Sequence, residues 1–262
     1  MWKTPRLLGA IGGVVGLFVS PPANAVNVER LEPHEVVLLE ATLHHLEPLI
    51  TTRKQNGSAN LLTWEELQQP LAEEERAFVQ ACRILKAETL GATSRYFGEV
   101  GTPLKLVALG SQRVLKNDEP SVLDPQFLPQ DVHDAYQTMM QAMERDLGRR
   151  LLVESGYRSP AYQLYLFLFY LPKHGYSIRE TNRYVALPGY SEHGYPPRQA
   201  IDFINQDGIN GEEHPEAFEA LPEYQWLLTH AKRFGFVLSY PRDNPSHTAF
   251  EPWHWHYERS DQ

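Results

Sequence analysis

An aspartate stands inside an apolar run. Residues 199–203 read QAIDF, with Asp202 between Ile201 and Phe203. The run has the length and residue types of a short strand. A carboxylate buried there is costly unless it is paired, hydrogen-bonded or bound to a metal. Any fold of this chain must therefore bring Asp202 a partner. Taken alone, the residue fits a carboxylate that holds a loop by backbone hydrogen bonds better than it fits a ligand.

Three polar stretches in the second half offer partners: SGYRSPAYQ (155–163), GYSEHGYPPRQAIDF (189–203) and FEPWHWHY (250–257). Each adjoins a predicted strand end, where a rigid scaffold presents functional groups. Catalytic zinc takes three His or carboxylate ligands and leaves one position for water. His193, Asp202 and a histidine of WHWH make such a set, with Glu251 as general base. In a plain strand His254 and His256 share one face and Trp253, Trp255 and Tyr257 the other. Glu251 would then point away from His254, unless the chain bends between them. Pro252 removes a ladder donor and is placed for that bend.

The elements around these stretches are mixed. Helical spacing over 31–50 predicts one helix ending near Pro48, followed by a polar loop, TTRKQNGSAN. Thr63 and Glu66 form a capping box. Periodicity predicts a further helix from Leu71 to Leu90 with Gly91 as its cap. A strand is expected over 103–110. A strong helix follows over 129–147, with Met139, Met140 and Met143 on its apolar side and Gly148 at its stop. A methionine stripe at that spacing is core. Helices are also expected over 160–171 and 177–186 and within EYQWLLTHAKRFGF, with strands at RLLVESGYR, QAIDF and FVLSY. Strands and helices do not alternate as in a doubly wound sheet, which predicts α+β. The divisions expected are a signal peptide over 1–25, a mainly helical extension over 26–115 and a catalytic domain over 116–262.

The signal peptide is read from Lys3 and Arg6, an uncharged run of 13 residues from Leu7 to Val19, and Ala23-Asn24-Ala25 as the cleavage signal. The run is shorter than the ~20 residues a spanning helix needs. No later segment is long enough either, so the mature protein is expected in the periplasm or secreted. The formal charge of −9, with no basic stripe, excludes nucleic acid as the expected partner. Cys82 is the sole cysteine and shares a helical face with Phe78 and Leu85, so it reads as core.

Taken together the three stretches resemble the D-alanyl-D-alanine carboxypeptidases of the VanY type, within the lysostaphin-like and hedgehog-like zinc folds. The resemblance rests on Ser155-Gly156-Tyr157-Arg158-Ser159 with Gln163, on Ser191-Glu192-His193 with Ala200-Ile201-Asp202, and on Glu251-Pro252-Trp253-His254. It covers about 125–257. It implies a small, mainly antiparallel sheet flanked by helices, and Zn²⁺ held by His193, Asp202 and His254. It implies Glu251 and Arg158 as catalytic groups, and Ser191, Gln163 and Tyr157 as substrate-binding ones. The implied substrate is the D-alanyl end of peptidoglycan stem peptides. The alternatives are an L,D-carboxypeptidase, an endopeptidase of the same fold, or a non-catalytic peptidoglycan binder, though a binder has no need of Glu251. Two features depart from the family. Eight residues, GYPPRQAI, separate His193 from Asp202, two more than usual, and His256 stands where Arg is common. Arg198 in that longer loop is expected to face either a substrate carboxylate or solvent.

Overall fold

The computed structural model describes residues 26–259 apart from 104, 117–118, 213 and 245–247. The expected signal peptide, 1–25, lies outside the described residues. Helix α1 (Pro33–Gln55) buries Leu39, Thr42, Leu46 and Ile50 along one stripe. It continues through Pro48 and takes in residues 51–55, where the sequence predicts a loop. An interior proline costs roughly 3 kcal/mol. Leu46 and Ile50, buried on either side of it, each return ~1.5–3 kcal/mol only if the helix stays intact. The expected capping box opens α2 (Trp64–Gln68), where the Thr63 side chain accepts from the Glu66 amide. Helix α3 (Glu73–Arg83) is shorter than its periodicity predicts. After it a 3-10 turn, Ala87–Leu90, carries Ala87 and Leu90 into the core and ends on Gly91 at φ +76°. Cys82 is buried, and burial pushes its thiol well above the ordinary range.

Strand β1 (Leu106–Ala108) pairs with β4 (Phe127–Pro129), and β2 (Arg113–Lys116) pairs with β3 (Glu119–Val122) in a hairpin. Helix α4 (Gln130–Leu147) follows, and its methionines are buried as expected. Then come β5 (Leu152–Ser155), α5 (Pro160–Tyr170), α6 (Ile178–Thr181), β6 (Ala200–Ile204), α7 (Pro215–Glu219), α8 (Pro222–His230), β7 (Phe236–Leu238) and β8 (His254–Tyr257). Helix α6 is one turn, where the sequence predicts a helix over 177–186. The main sheet has the order β5-β6-β8-β7 and is antiparallel throughout. The chain is thus an α+β fold, with small antiparallel sheets flanked by helices and, among the described residues, three α-helices before them. Among the described residues no helix is long and apolar enough to cross a membrane.

Alternation across the main sheet positions the site. Ile201 and Phe203 of β6, with Trp255 of β8, enter the core that Tyr136, Met139, Met140 and Met143 of α4 share with Leu227 of α8. Side chains at odd and even strand positions point to opposite faces. Asp202 and His254 are cross-strand partners on the other face. A second core joins α1 and α3 to α5, through Leu39, Leu46, Phe78 and Cys82 against Leu164 and Leu168.

Gly156, just beyond β5, allows the close crossing beneath the site. A Cβ there would stand 2.4 Å from the Phe127 carbonyl oxygen, which accepts the Tyr157 amide at 2.8 Å. Gly156→Ala must shift this backbone. It is expected to destabilise the protein by about 1–3 kcal/mol, read as a lower denaturant midpoint with unchanged slope.

Candidate metal centre

Four short segments converge on the open face of the sheet. Asp202 comes from mid-β6 and His254 from the first position of β8, directly opposite. His193 comes from a 3-10 turn, Glu192–Gly194. A turn closed by the His254 amide on the Glu251 carbonyl, at 3.2 Å, spans Pro252 and Trp253. This is the bend the sequence requires, and it brings Glu251 Oε2 to 3.7 Å from His254 Nδ1.

The His193, Asp202 and His254 side chains are buried, and one donor atom from each lies within 4.8 Å of the others. Hydrogen bonds on the far side of each ring fix which nitrogen faces inward. His193 Nδ1 lies 2.8 Å from the Gly156 carbonyl oxygen, so Nε2 faces Asp202 Oδ2 at 3.1 Å. His254 Nε2 lies 3.1 Å from Glu192 Oε2, so Nδ1 faces Asp202 Oδ1 at 2.8 Å. Ligands ~2.1 Å from a tetrahedral zinc stand ~3.4 Å apart. With one donor atom from each of the three residues within 4.8 Å of the others, this His-Asp-His set is geometrically suited to Zn²⁺. A hydrogen-bonded far nitrogen is the usual device for orienting such ligands.

The charges are strongly coupled. Burial opposes ionisation of Asp202, but His193 and His254 hold its carboxyl well below the usual range. Burial and the Arg158 cation push His193 down to about 4. Burial works against charge on His254 as well, yet Asp202 and Glu192 prevail and raise it to about 10. Burial, reinforced by the Asp202 charge, raises Glu251 to about 8. The Arg158 guanidinium lies against the cluster. Its Nη2 donates to Asp202 Oδ2 at 2.6 Å and to His193 Nε2 at 3.0 Å, and its Nε donates to Ser155 Oγ at 2.7 Å. A register irregularity between Val153 and Ser155 sets Ser155 opposite Asp202.

All of these groups open on a cleft of about 780 Å³, which Ser191 and Gln163 also line. Both polar atoms of Gln163 are engaged within the protein. Its Oε1 accepts from Arg158 Nη1 at 3.3 Å, and its Nε2 donates to the Ala186 carbonyl at 2.8 Å. Tyr157 is fully buried and does not line the cleft, so the structure does not bring it to a substrate. His256 is buried against Ser239, with Nδ1 2.7 Å from Oγ, and does not reach the cleft. Arg198 does not line the cleft; it is half-buried at the surface, with its Nε donating to buried Glu192 at 2.6 Å and its Nη1 to exposed Glu258 at 3.2 Å.

Glu192, Ser239 and Tyr240 escape the sequence reading. Glu192 had a usable signal, a carboxylate next to a ligand histidine inside a stretch already singled out. Ser239 donates to Glu192 Oε2 at 2.5 Å. The Tyr240 ring stacks obliquely 4.9 Å from His254, and burial with the Glu192 and Glu251 charges holds its hydroxyl well above the usual range.

The family model described as D-alanyl-D-alanine carboxypeptidase, VanY, matches residues 125–260. The chain is 31% identical to YodJ of Bacillus subtilis (strain 168) over 137 residues, 52% of this chain and 48% of that protein. It thus spans about half the length of that relative. It is also 31% identical to VanXYC of Enterococcus gallinarum, a bifunctional D-Ala-D-Ala dipeptidase and carboxypeptidase, over 155 residues, 54% of this chain and 76% of that one. Among solved structures, the LdcB LD-carboxypeptidase is 28% identical over 50% of this chain and 59% of its own, with a TM-score of 0.42.

The geometry predicts which histidine matters. His193→Ala and His254→Ala should each abolish stoichiometric zinc binding, whereas His256→Ala should keep about one zinc per chain. Metal analysis after dialysis reads the difference. Full zinc in His254→Ala with loss in His256→Ala would reverse the assignment.

Proposed function

The chain belongs to the VanY family of D-alanyl-D-alanine carboxypeptidases, and on that premise we propose that it is a zinc peptidase removing the terminal D-alanine of peptidoglycan stem peptides. The observation that carries this reading is a His-Asp-His cluster on the wall of a cleft, with the Glu251 carboxylate 3.7 Å from one of its ligand nitrogens. His193 Nε2, Asp202 and His254 Nδ1 would hold the metal. When bound, zinc polarises the scissile carbonyl and acidifies its water.

Residues of the chain perform the remaining work. Glu251 accepts the proton of the attacking water on its carboxylate and delivers it to the leaving amine nitrogen. Arg158, beside the ligand atoms, donates to the carbonyl oxygen as negative charge gathers there. Gln163 and Ser155 brace the guanidinium from two sides. Ser191, which lines the cleft, would hydrogen-bond the peptide's terminal residue. Stem peptides lie outside the cytoplasm, and the leader-like pattern of 1–25 supports export of the mature protein.

The test is mass spectrometry of a stem pentapeptide incubated with zinc-loaded protein. Loss of one alanine is expected, and a chelator should prevent it. Loss only from a tetrapeptide would assign an L,D-carboxypeptidase instead, and no cleavage of either would leave a binding role. Glu251→Gln is nearly isosteric but cannot shuttle a proton. It should keep zinc while kcat falls roughly 10²–10⁴-fold. Near wild-type turnover in that variant would remove Glu251 as the base.

A further inference from the structure

The geometry points to Arg198, from the lengthened loop between two of the ligands, as a positioning residue for His254 that acts through Glu192. This rests on His254 being a metal ligand, as proposed above.

The loop itself is held. Pro196 and Pro197 fix their own φ angles and restrict the residues before them. A 3-10 turn, Pro196–Arg198, follows, with the Arg198 amide donating to the Tyr195 carbonyl at 2.9 Å. Tyr195 stacks on Phe97 with ring centroids 5.0 Å apart, and the Phe97 amide donates to the Gly189 carbonyl at 2.8 Å. Arg198 therefore leaves a braced turn rather than a free loop tip.

Its guanidinium reaches inward. Nε donates to Glu192 Oε1 at 2.6 Å, while Nη1 reaches the exposed Glu258 at 3.2 Å. The other oxygen of Glu192 lies 3.1 Å from His254 Nε2 and takes the Ser239 hydroxyl at 2.5 Å. One carboxylate is thus gripped at one end by Arg198 and presented at the other to the ring that must point Nδ1 at the metal position. A carboxylate held by one oxygen cannot rotate freely, so the direction of Oε2 is set from outside the cleft. His256 also faces Ser239 Oγ, at 2.7 Å, which gives the buried histidine a place in the same support. Arg198, on the loop that joins His193 to Asp202, thereby braces the outer side of the metal centre.

Zinc affinity tests this directly. Arg198→Ala should weaken zinc binding several-fold in competition with a chromogenic chelator, short of the roughly 10–100-fold typical when a metal ligand loses its direct outer partner. Arg198→Lys keeps the charge without the planar fork and should recover part of the loss. Among variants saturated with zinc, kcat should fall in Arg198→Ala with KM for a stem pentapeptide nearly unchanged. Thermal unfolding of the metal-free proteins runs alongside. A lowered Tm with wild-type zinc affinity would mean that Arg198 serves stability alone and would overturn the inference. So would a raised KM for free-carboxylate peptides with zinc affinity intact, since that is the signature of a substrate contact. Wild-type protein that bound no zinc would instead sink the metal reading itself, a separate result that takes this inference with it.

Discussion

The structure depends on where one carboxylate points. Asp202 sits on β6 between Ile201 and Phe203, all three buried. Strand alternation sends the two apolar neighbours into the core under α4 and α8 and Asp202 to the opposite face. A slip of one residue would exchange the faces, burying the charge among methionines and exposing two large side chains. The metal-binding geometry and the hydrophobic core therefore enforce the same register. His254 extends the logic to β8, where it faces the site while Trp255 beside it faces the core.

This coupling explains what the sequence reveals. Motifs show where a local pattern has a single physical solution. Asp202 in an apolar run demands partners, Pro252 before Trp253 and His254 demands a bend, and the methionine spacing of α4 demands a core. Helix limits are harder, because packing decides them. Pro48 reads as a stop, yet buried Leu46 and Ile50 hold the helix together across it. The β2–β3 hairpin is nearly invisible, as its residues are mostly exposed and Pro120 argues against a strand.

Within the site, the groups that touch the ligands from behind are the least legible. Glu192, Ser239 and Arg198 are unremarkable as residue types, and their meaning comes from partners far along the chain. Glu192 meets His254, and Ser239 meets Glu192 from the end of β7. Arg198 shows the limit most clearly. The sequence leaves it facing either a substrate carboxylate or solvent, and only the fold reveals that it turns toward a buried carboxylate. Tyr157 fails in the other direction, since membership of a motif says nothing about which of its side chains faces inward.

The helices before the sheet are fastened to the turn that carries Arg158. The Asn60 carbonyl accepts the Ser159 amide at 2.8 Å and the Leu62 carbonyl accepts the Ser159 hydroxyl at 2.5 Å. Lys54, Ala59 and Asn60 line the same cleft as the ligands. The family resemblance begins at residue 125, downstream of all of these. Shared ancestry and mechanical integrity therefore have different borders in this molecule. A chimera spliced at the border of ancestry would inherit every motif residue together with a loosened guanidinium and a breached wall. In this molecule the motifs and the helices that steady them form one mechanical unit.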